Sequence, residues 1–156
     1  MVRSDRNHHI EIVGSYRRQR PTCGDIDVLI CRHDGSIETH LLKQFVETLE
    51  TMGFISESLS KPKTFDGKNG SAYMGVCVWE GEHHRIDIKH YPVEQYAFAL
   101  LYFTGSDLFN RQMRLKAHNR GLMLSDTTLK KKERNGMSKI WKGGDIPLLR
   151  TEKEIF

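Results

Sequence analysis

The sequence contains no apolar run that approaches the roughly 20 residues a membrane-spanning helix requires. Its first residues also lack the charged-then-apolar pattern of a secretory signal peptide. These two absences predict a soluble protein with no membrane partner. At 156 residues the chain is long enough to bury a core, either as one domain or as two small subdomains that share a sheet.

Cysteine is also scarce, and the three that occur do not form a pattern. Cys23, Cys31 and Cys77 are an odd number without paired spacing, which is typical of reduced thiols in an intracellular compartment. The same spacing argues against a zinc site. The adjacent His83 and His84 are predicted to lie on a solvent-exposed turn, because neighbours on a turn seldom point at one ion.

Positive charge is concentrated in the last third of the chain. Residues 1–104 carry 12 Lys and Arg against 14 Asp and Glu, whereas residues 105–156 carry 12 against 6, for a net charge of +4. A segregated basic surface is expected of a protein that binds a phosphate backbone. A solvated lysine-rich surface produces the same pattern, so both interpretations stay open.

Acidic residues alternate with apolar ones in two predicted strands. In an extended strand Asp25 and Asp27 project to one face, and a core packs against the apolar residues between and after them, which are Ile26, Val28 and Ile30. Residues 85–89, Arg-Ile-Asp-Ile-Lys, repeat the alternation. Pairing of the two strands would bring Asp87 beside the first two carboxylates. Such a cluster repels itself unless divalent cations neutralise it.

The cluster and the segment before it predict a nucleotidyltransferase. Mg²⁺, or Mn²⁺ in its place, prefers carboxylate oxygens, and two ions roughly 3.5–4 Å apart can support phosphoryl transfer. Upstream, Gly14 and Ser15 offer backbone N–H groups and a hydroxyl to phosphate oxygens, and Arg18 offers a guanidinium fork.

Hydrophobic periodicity predicts an α+β fold with a sheet backed by helices. The segment after residue 73 and the Asp87 strand are expected to form an antiparallel hairpin, and the tail is expected to form small strands and turns. Strands are predicted over residues 8–13, 54–60 and 73–80, and helices over residues 37–52, 93–101 and 106–120. Ser106 is the predicted N-cap of the last of these helices, and Gly121 is its predicted stop.

Four segments resemble the X family of DNA polymerases, the beta and lambda type. They are Gly-Ser-Tyr-Arg-Arg at 14–18, Gly-Asp-Ile-Asp at 24–27, Arg-Ile-Asp-Ile at 85–88 and Tyr-Phe-Thr-Gly-Ser-Asp at 102–107. The resemblance covers about Ile10 to Phe156.

This resemblance implies a nucleotidyltransferase-type palm with a mixed sheet over residues 1–100. It implies a small α/β subdomain over residues 101–156 that binds the nascent base pair. The family's amino-terminal lyase and helix-hairpin-helix regions have no counterpart in the sequence, and its final helix stops here after one turn. A cut fragment and a minimal natural version both explain this.

The resemblance assigns roles at the acidic centre. Asp25 and Asp27 would bind two Mg²⁺ or Mn²⁺ ions, Asp87 would bind the catalytic ion beside the primer 3′-hydroxyl, and Arg85 would orient Asp87. Lys89 replaces an arginine that contacts a catalytic carboxylate in beta-type enzymes, and it is predicted to act on the DNA side. The triphosphate would be held by Gly14, Ser15, Arg18, Gly24 and the backbone N–H of Cys23.

The resemblance also assigns roles around residues 102–114. Tyr102 and Phe103 would lie against the sugar of the incoming nucleotide, and Gly105 would allow close backbone approach, with the Gly105–Ser106 peptide often cis in the family. Asp107 and Asn110 would lie near the base. Arg114 would lie against the template strand. From the residues alone, a solvated helix face is the preferred interpretation of this polar stripe.

The resemblance implies a template-directed DNA polymerase that adds dNTPs to a primer in gapped DNA, as a monomer, in nuclear DNA repair. The Tyr102-Phe103 pair resembles template-directed members that select deoxynucleotides. Two alternatives stay open: another nucleotidyltransferase of the superfamily, or a non-catalytic module that binds DNA ends. An Asp87 directed away from Asp25 and Asp27, or a salt bridge in the place of the ions, would contradict the polymerase interpretation.

Overall fold

The computed structural model describes residues 8–32, 40–62, 71–132, 138–139 and 151–155. The chain divides into a first unit, residues 1–93, and a second unit, residues 94–156. No described helix is long and apolar enough to cross a membrane. The elements in chain order are β1 (His8–Ile12), α1 (Gly14–Arg17), β2 (Asp25–Arg32), α2 (Leu41–Thr51), β3 (Ile55–Ser58), β4 (Ser71–Trp79), β5 (Glu82–His90), α3 (Val93–Thr104), α4 (Asp107–Asn119), β6 (Leu122–Leu124), β7 (Leu129–Lys132), β8 (Ser138–Lys139) and α5 (Glu152–Ile155).

The first unit contains a five-stranded mixed sheet in the order β1-β2-β5-β4-β3. Strands β2 and β5 pair in parallel, and the other neighbours pair antiparallel. Strands β4 and β5 form the predicted antiparallel hairpin, with Trp79 opposite Glu82 at its turn. The α+β prediction with a mixed sheet is confirmed.

One face of this sheet forms the core. Helix α2 buries Leu41, Leu42 and Val46 in the same cluster as side chains from β2, β3, β4 and β5. Each fully buried aliphatic side chain stabilises the fold by about 1.5–3 kcal/mol. Because side chains alternate along a strand, burial of one set leaves the other set, which includes Asp25 and Asp27, on the opposite face.

A buried tyrosine connects three elements of this core. Tyr73 of β4 is fully buried, and its hydroxyl lies 2.8 Å from the Ser58 hydroxyl of β3. Ser58 donates in turn to Glu50 of α2 at 2.7 Å. Burial raises the pKa of Tyr73 above its ordinary value. The polar end of the largest buried side chain is therefore satisfied, as a buried hydroxyl requires.

The second unit begins with two helices separated at Gly105. Gly105 has φ +65°, and the Gly105–Ser106 peptide is cis, as predicted. Ser106 is the predicted N-cap of α4, and its hydroxyl accepts a hydrogen bond from the Phe109 N–H at 3.4 Å. Gly121, at φ +71°, follows the helix as the predicted stop. Strands β6, β7 and β8 then form a small antiparallel sheet.

One prediction about local structure is wrong. His83 and His84 lie within β5, not on the turn, which Glu80 and Gly81 form with positive φ. Their side chains point to opposite faces, since they are consecutive in a strand. Helix α4 has no fully buried residue. Its partly buried residues are Phe109, Asn110, Met113 and Ala117, and the others are exposed.

Candidate active site

The parallel pairing of β2 with β5 sets the positions of the acidic side chains. Asp25 lies opposite Arg85, and Asp27 lies opposite Asp87. One carboxylate oxygen from each of Asp25, Asp27 and Asp87 lies within 4.8 Å of the others. A shift of the register by one residue would move a whole strand's side chains to the other face. The register therefore assembles the cluster.

Arg85 contacts two of the three carboxylates. Its Nη2 lies 2.7 Å from Asp25 Oδ2 and 3.4 Å from Asp87 Oδ2. Because the Arg85 side chain is 54% exposed, such a pair contributes at most about 1 kcal/mol and can rearrange at little cost. The salt bridge offsets part of the negative charge. It uses one oxygen of each partner, Asp25 Oδ2 and Asp87 Oδ2.

The cluster fits a divalent cation on two grounds. Within the described part of the chain, Asp87 Oδ1 is buried and has no hydrogen-bond partner, a condition that is costly for a carboxylate. The pKa of Asp27 is raised by burial and then by the charges of Asp25 and Asp87, against the smaller effects of Lys89 and Arg85. Hard divalent ions with oxygen ligands match both features.

Gly14 packs directly against the Asp27 carboxylate. Its φ is +60°, and a Cβ at this position would overlap Asp27 Oδ2 and lie 2.9 Å from Asp27 Cγ. The preceding Val13 donates its N–H to the Asp27 carbonyl at 2.8 Å. From the sequence motifs, Gly14 is predicted only to bind phosphate. The close approach could not be inferred there, because it depends on how β1 turns into α1 over β2.

The other residues predicted to bind the triphosphate lie on α1 and on the segment leading to β2. Ser15 and Arg18 are partly buried, and Arg18 ends α1. Cys23 and Gly24 are exposed and come directly before Asp25. The neighbouring Arg17 is held elsewhere, because its Nε donates to Glu11 Oε1 at 2.7 Å. Lys89 lies on the same strand face as Asp87, two residues later.

In the second unit, four of the predicted residues contact one another. The rings of Tyr102 and Phe103 meet edge-to-face with centroids 5.0 Å apart. The Arg114 guanidinium carbon lies 4.9 Å from the Tyr102 ring centroid, and Asn110 Nδ2 donates to the Tyr102 carbonyl at 2.8 Å. Asp107 instead pairs with Arg111 at 2.6 Å, on the exposed side of α4. Arg111 was not among the predicted residues.

Comparison with protein families identifies relatives over the whole chain. A family model described as DNA polymerase beta palm matches residues 2–93, and one described as DNA polymerase beta thumb matches residues 99–156.

Individual relatives agree. The chain is 37% identical over 151 residues to DNA polymerase lambda of Arabidopsis thaliana, which covers 92% of this chain and 28% of that protein. DNA polymerase lambda of Rattus norvegicus is 38% identical over 149 residues, or 92% of this chain and 25% of the relative. DNA nucleotidylexotransferase of Ambystoma mexicanum is 40% identical over 65 residues, 41% of this chain and 12% of that protein. The chain thus spans about a quarter of the length of the polymerase lambda relatives.

Proposed function

Because the chain belongs to the X family of DNA polymerases, with a beta-type palm and thumb, we propose that it adds deoxynucleotides to a primer 3′-hydroxyl under the direction of a template. Membership of the family, predicted from four motifs, is confirmed. The observation that supports the activity is the convergence of Asp25, Asp27 and Asp87 within 4.8 Å.

The acidic cluster would hold the metal. Asp25, Asp27 and Asp87 would bind two Mg²⁺ or Mn²⁺ ions, which when bound neutralise phosphate charge and lower the pKa of the attacking hydroxyl. Asp87, whose Oδ1 is buried and has no hydrogen-bond partner among the described residues, would accept the proton of the primer 3′-hydroxyl. Arg85 contacts Asp87 at 3.4 Å and would orient it.

The bond changes are those of nucleotidyl transfer. The 3′-oxygen forms a bond to the α-phosphorus of the dNTP, the α–β phosphoanhydride bond breaks, and pyrophosphate leaves. Ser15 and Arg18, with the N–H groups of Gly14, Cys23 and Gly24, would bind the triphosphate oxygens. Positioning and charge neutralisation would supply most of the rate.

The second unit would recognise the base pair. Tyr102 and Phe103 would pack on the deoxyribose, and Asp107 and Asn110 would lie near the base. Arg114, held over the Tyr102 ring, would lie against the template strand, and Lys89 of the first unit would act on the DNA side. By family membership the substrate would be gapped DNA in nuclear repair, with the chain acting as a monomer.

Primer extension on DNA with a one-nucleotide gap tests the proposal. With Mg²⁺ or Mn²⁺, we expect incorporation of the dNTP complementary to each of the four template bases. Asp27→Asn and Asp87→Asn should abolish it. Glu82→Gln is the matched control, because Glu82 is an exposed acid on the same strand as Asp87.

Each other result favours a different function. Addition independent of the template base would indicate an activity like that named for the Ambystoma relative. Binding of DNA ends without incorporation would indicate the non-catalytic module. Transfer to RNA or to a small molecule but not to DNA would indicate another nucleotidyltransferase. Equal use of ribo- and deoxynucleotides would contradict the sugar role of Tyr102 and Phe103.

A further inference from the structure

We propose that Gly14 is a positioning residue for the acidic cluster: its lack of a side chain leaves the space in which the Asp27 carboxylate must lie to meet Asp25 and Asp87. The proposal deepens the function proposed above for this site. Its geometric basis, however, is independent of whether the chain polymerises DNA.

The first argument is steric. A Cβ at residue 14 would overlap Asp27 Oδ2 and would also lie 2.9 Å from Asp27 Cγ and 3.2 Å from Asp27 Cβ. Contacts under 3.0 Å between such atoms require one group to move. Since the Asp27 side chain has few rotamers, an added methyl group would force its carboxylate away from the cluster or displace the backbone at residue 14.

The second argument is that the backbone cannot easily move. Ile12 is paired with Val28 at the last position of the β1–β2 ladder. The next residue, Val13, is 1% exposed and donates its N–H to the Asp27 carbonyl at 2.8 Å. These contacts hold the start of α1 against the same residue whose side chain fills the space. The carboxylate is therefore the group that would shift.

The third argument comes from other glycines. Gly53, Gly81 and Gly121 also have positive φ, at +71°, +84° and +71°, yet no atom of the described residues lies within 4 Å of a Cβ built on any of them. At those positions only the backbone conformation favours glycine. At residue 14, glycine is favoured both by the positive φ and by the nearby Asp27 carboxylate, which leaves no room for a side chain. Gly53→Ala therefore measures the cost of the positive φ alone.

A double-mutant cycle tests the coupling of residues 14 and 27 without DNA or nucleotide. Thermal unfolding is measured, without divalent ions, for the full chain and for the Gly14→Ala, Asp27→Ala and double variants. We expect Gly14→Ala to lower the melting temperature more in the wild-type background than in the Asp27→Ala background. In the latter background its effect should approach that of Gly53→Ala. Equal shifts in both backgrounds would overturn the proposal.

Mn²⁺ binding, followed by the loss of the free-ion electron paramagnetic resonance signal, tests the consequence for the cluster. We expect Gly14→Ala to weaken Mn²⁺ binding at least tenfold and Gly53→Ala to leave it unchanged. Unchanged Mn²⁺ affinity in folded Gly14→Ala would overturn the proposal. If Gly14→Ala does not fold, recovery of folding in the double variant supports it, and failure of both variants to fold overturns it.

These results are separable from the proposed activity. Coupling between residues 14 and 27 in a chain that incorporates no nucleotide would support the positioning role and contradict the polymerase function. Template-directed incorporation without coupling between residues 14 and 27 would support the polymerase function and contradict the positioning role.

Discussion

The two units of this chain present their predicted site residues in different ways. In the first unit, three carboxylates project from two paired strands, and the register of the strands places the carboxylates next to one another. In the second unit, the predicted residues lie around a helix that has no fully buried residue. The first arrangement is set by the backbone, and the second depends on side chains that can still move.

The two units also differ in whether their polar side chains have partners. The first unit holds like charges together, and in the part of the chain that the structure describes Asp87 Oδ1 is buried without a hydrogen-bond partner. In the second unit, Asn110, Arg114 and Asp107 each contact another group of the same unit. The acidic cluster of the first unit is therefore suited to binding a cation, whereas these three polar side chains of the second unit are paired within it. We expect substitutions to affect the two units accordingly.

The largest expected effect is on catalysis in the first unit. Asp27→Asn should lower single-turnover incorporation about a thousandfold or more. It should leave the metal-free melting temperature unchanged or higher, because burial and the neighbouring carboxylates disfavour ionised Asp27 and raise its pKa. Retained incorporation would contradict the role, and a large drop in melting temperature would contradict the electrostatic argument.

The next effect is on stability in the same unit. Gly75→Ala should lower the free energy of unfolding by about 2–3 kcal/mol through overpacking. The reason is that a Cβ at residue 75 would lie 2.8 Å from Tyr73 Cζ and 2.9 Å from the Glu57 carbonyl oxygen. Urea unfolding measures this loss of stability. Gly53→Ala is the control, because a Cβ at residue 53 meets no described atom within 4 Å. An equal cost for both substitutions would show that the core side of the sheet is less tightly packed than described.

A buried thiol should make stability depend on alkaline pH. Burial raises the pKa of Cys31 from 9.0 to about 11, so the unfolded chain ionises this thiol first. Stability is then present below the unfolded value and lost as the pH rises, by up to about 2 kcal/mol. Urea titrations at pH 8 and pH 11 should show a smaller loss in Cys31→Ala than in wild type. Equal losses would contradict the prediction.

Within the second unit, Arg114→Ala should affect activity more than stability. Its contact with the Tyr102 ring contributes only about 0.5–1 kcal/mol at an exposed site, whereas loss of a template contact should lower incorporation about tenfold. Gap-filling kinetics and thermal unfolding on one preparation separate the two effects. A stability loss with unchanged kinetics would make Arg114 a structural residue.

The smallest expected effect is that of the exposed Asp107–Arg111 pair. Both side chains are about three-quarters exposed, at 77% and 75%, so Arg111→Ala should change the free energy of unfolding by about 0.5 kcal/mol or less. A reversible thermal melt at low and high salt measures it. A loss above that value would mean that α4 depends on its surface charges more than its exposure indicates.

Several features could be predicted from particular residues. Alternation around Asp25 and Asp27 predicted their common face, and Ser106 and Gly121 marked the ends of α4 because capping depends on local sequence. Other features could not be predicted. The contacts of Arg85 with Asp25 and Asp87 depend on β2 and β5 becoming neighbours.

The sequence by itself determined the residue types, their alternation and the family, because side-chain direction and turn preference are local properties of the chain. Only the tertiary structure decided that β2 and β5 pair in parallel with Asp27 opposite Asp87, and that Gly14 lies against Asp27. Both are contacts between distant segments, and they form because burial of the opposite sheet face against α2 selects one register among those that the local pattern allows.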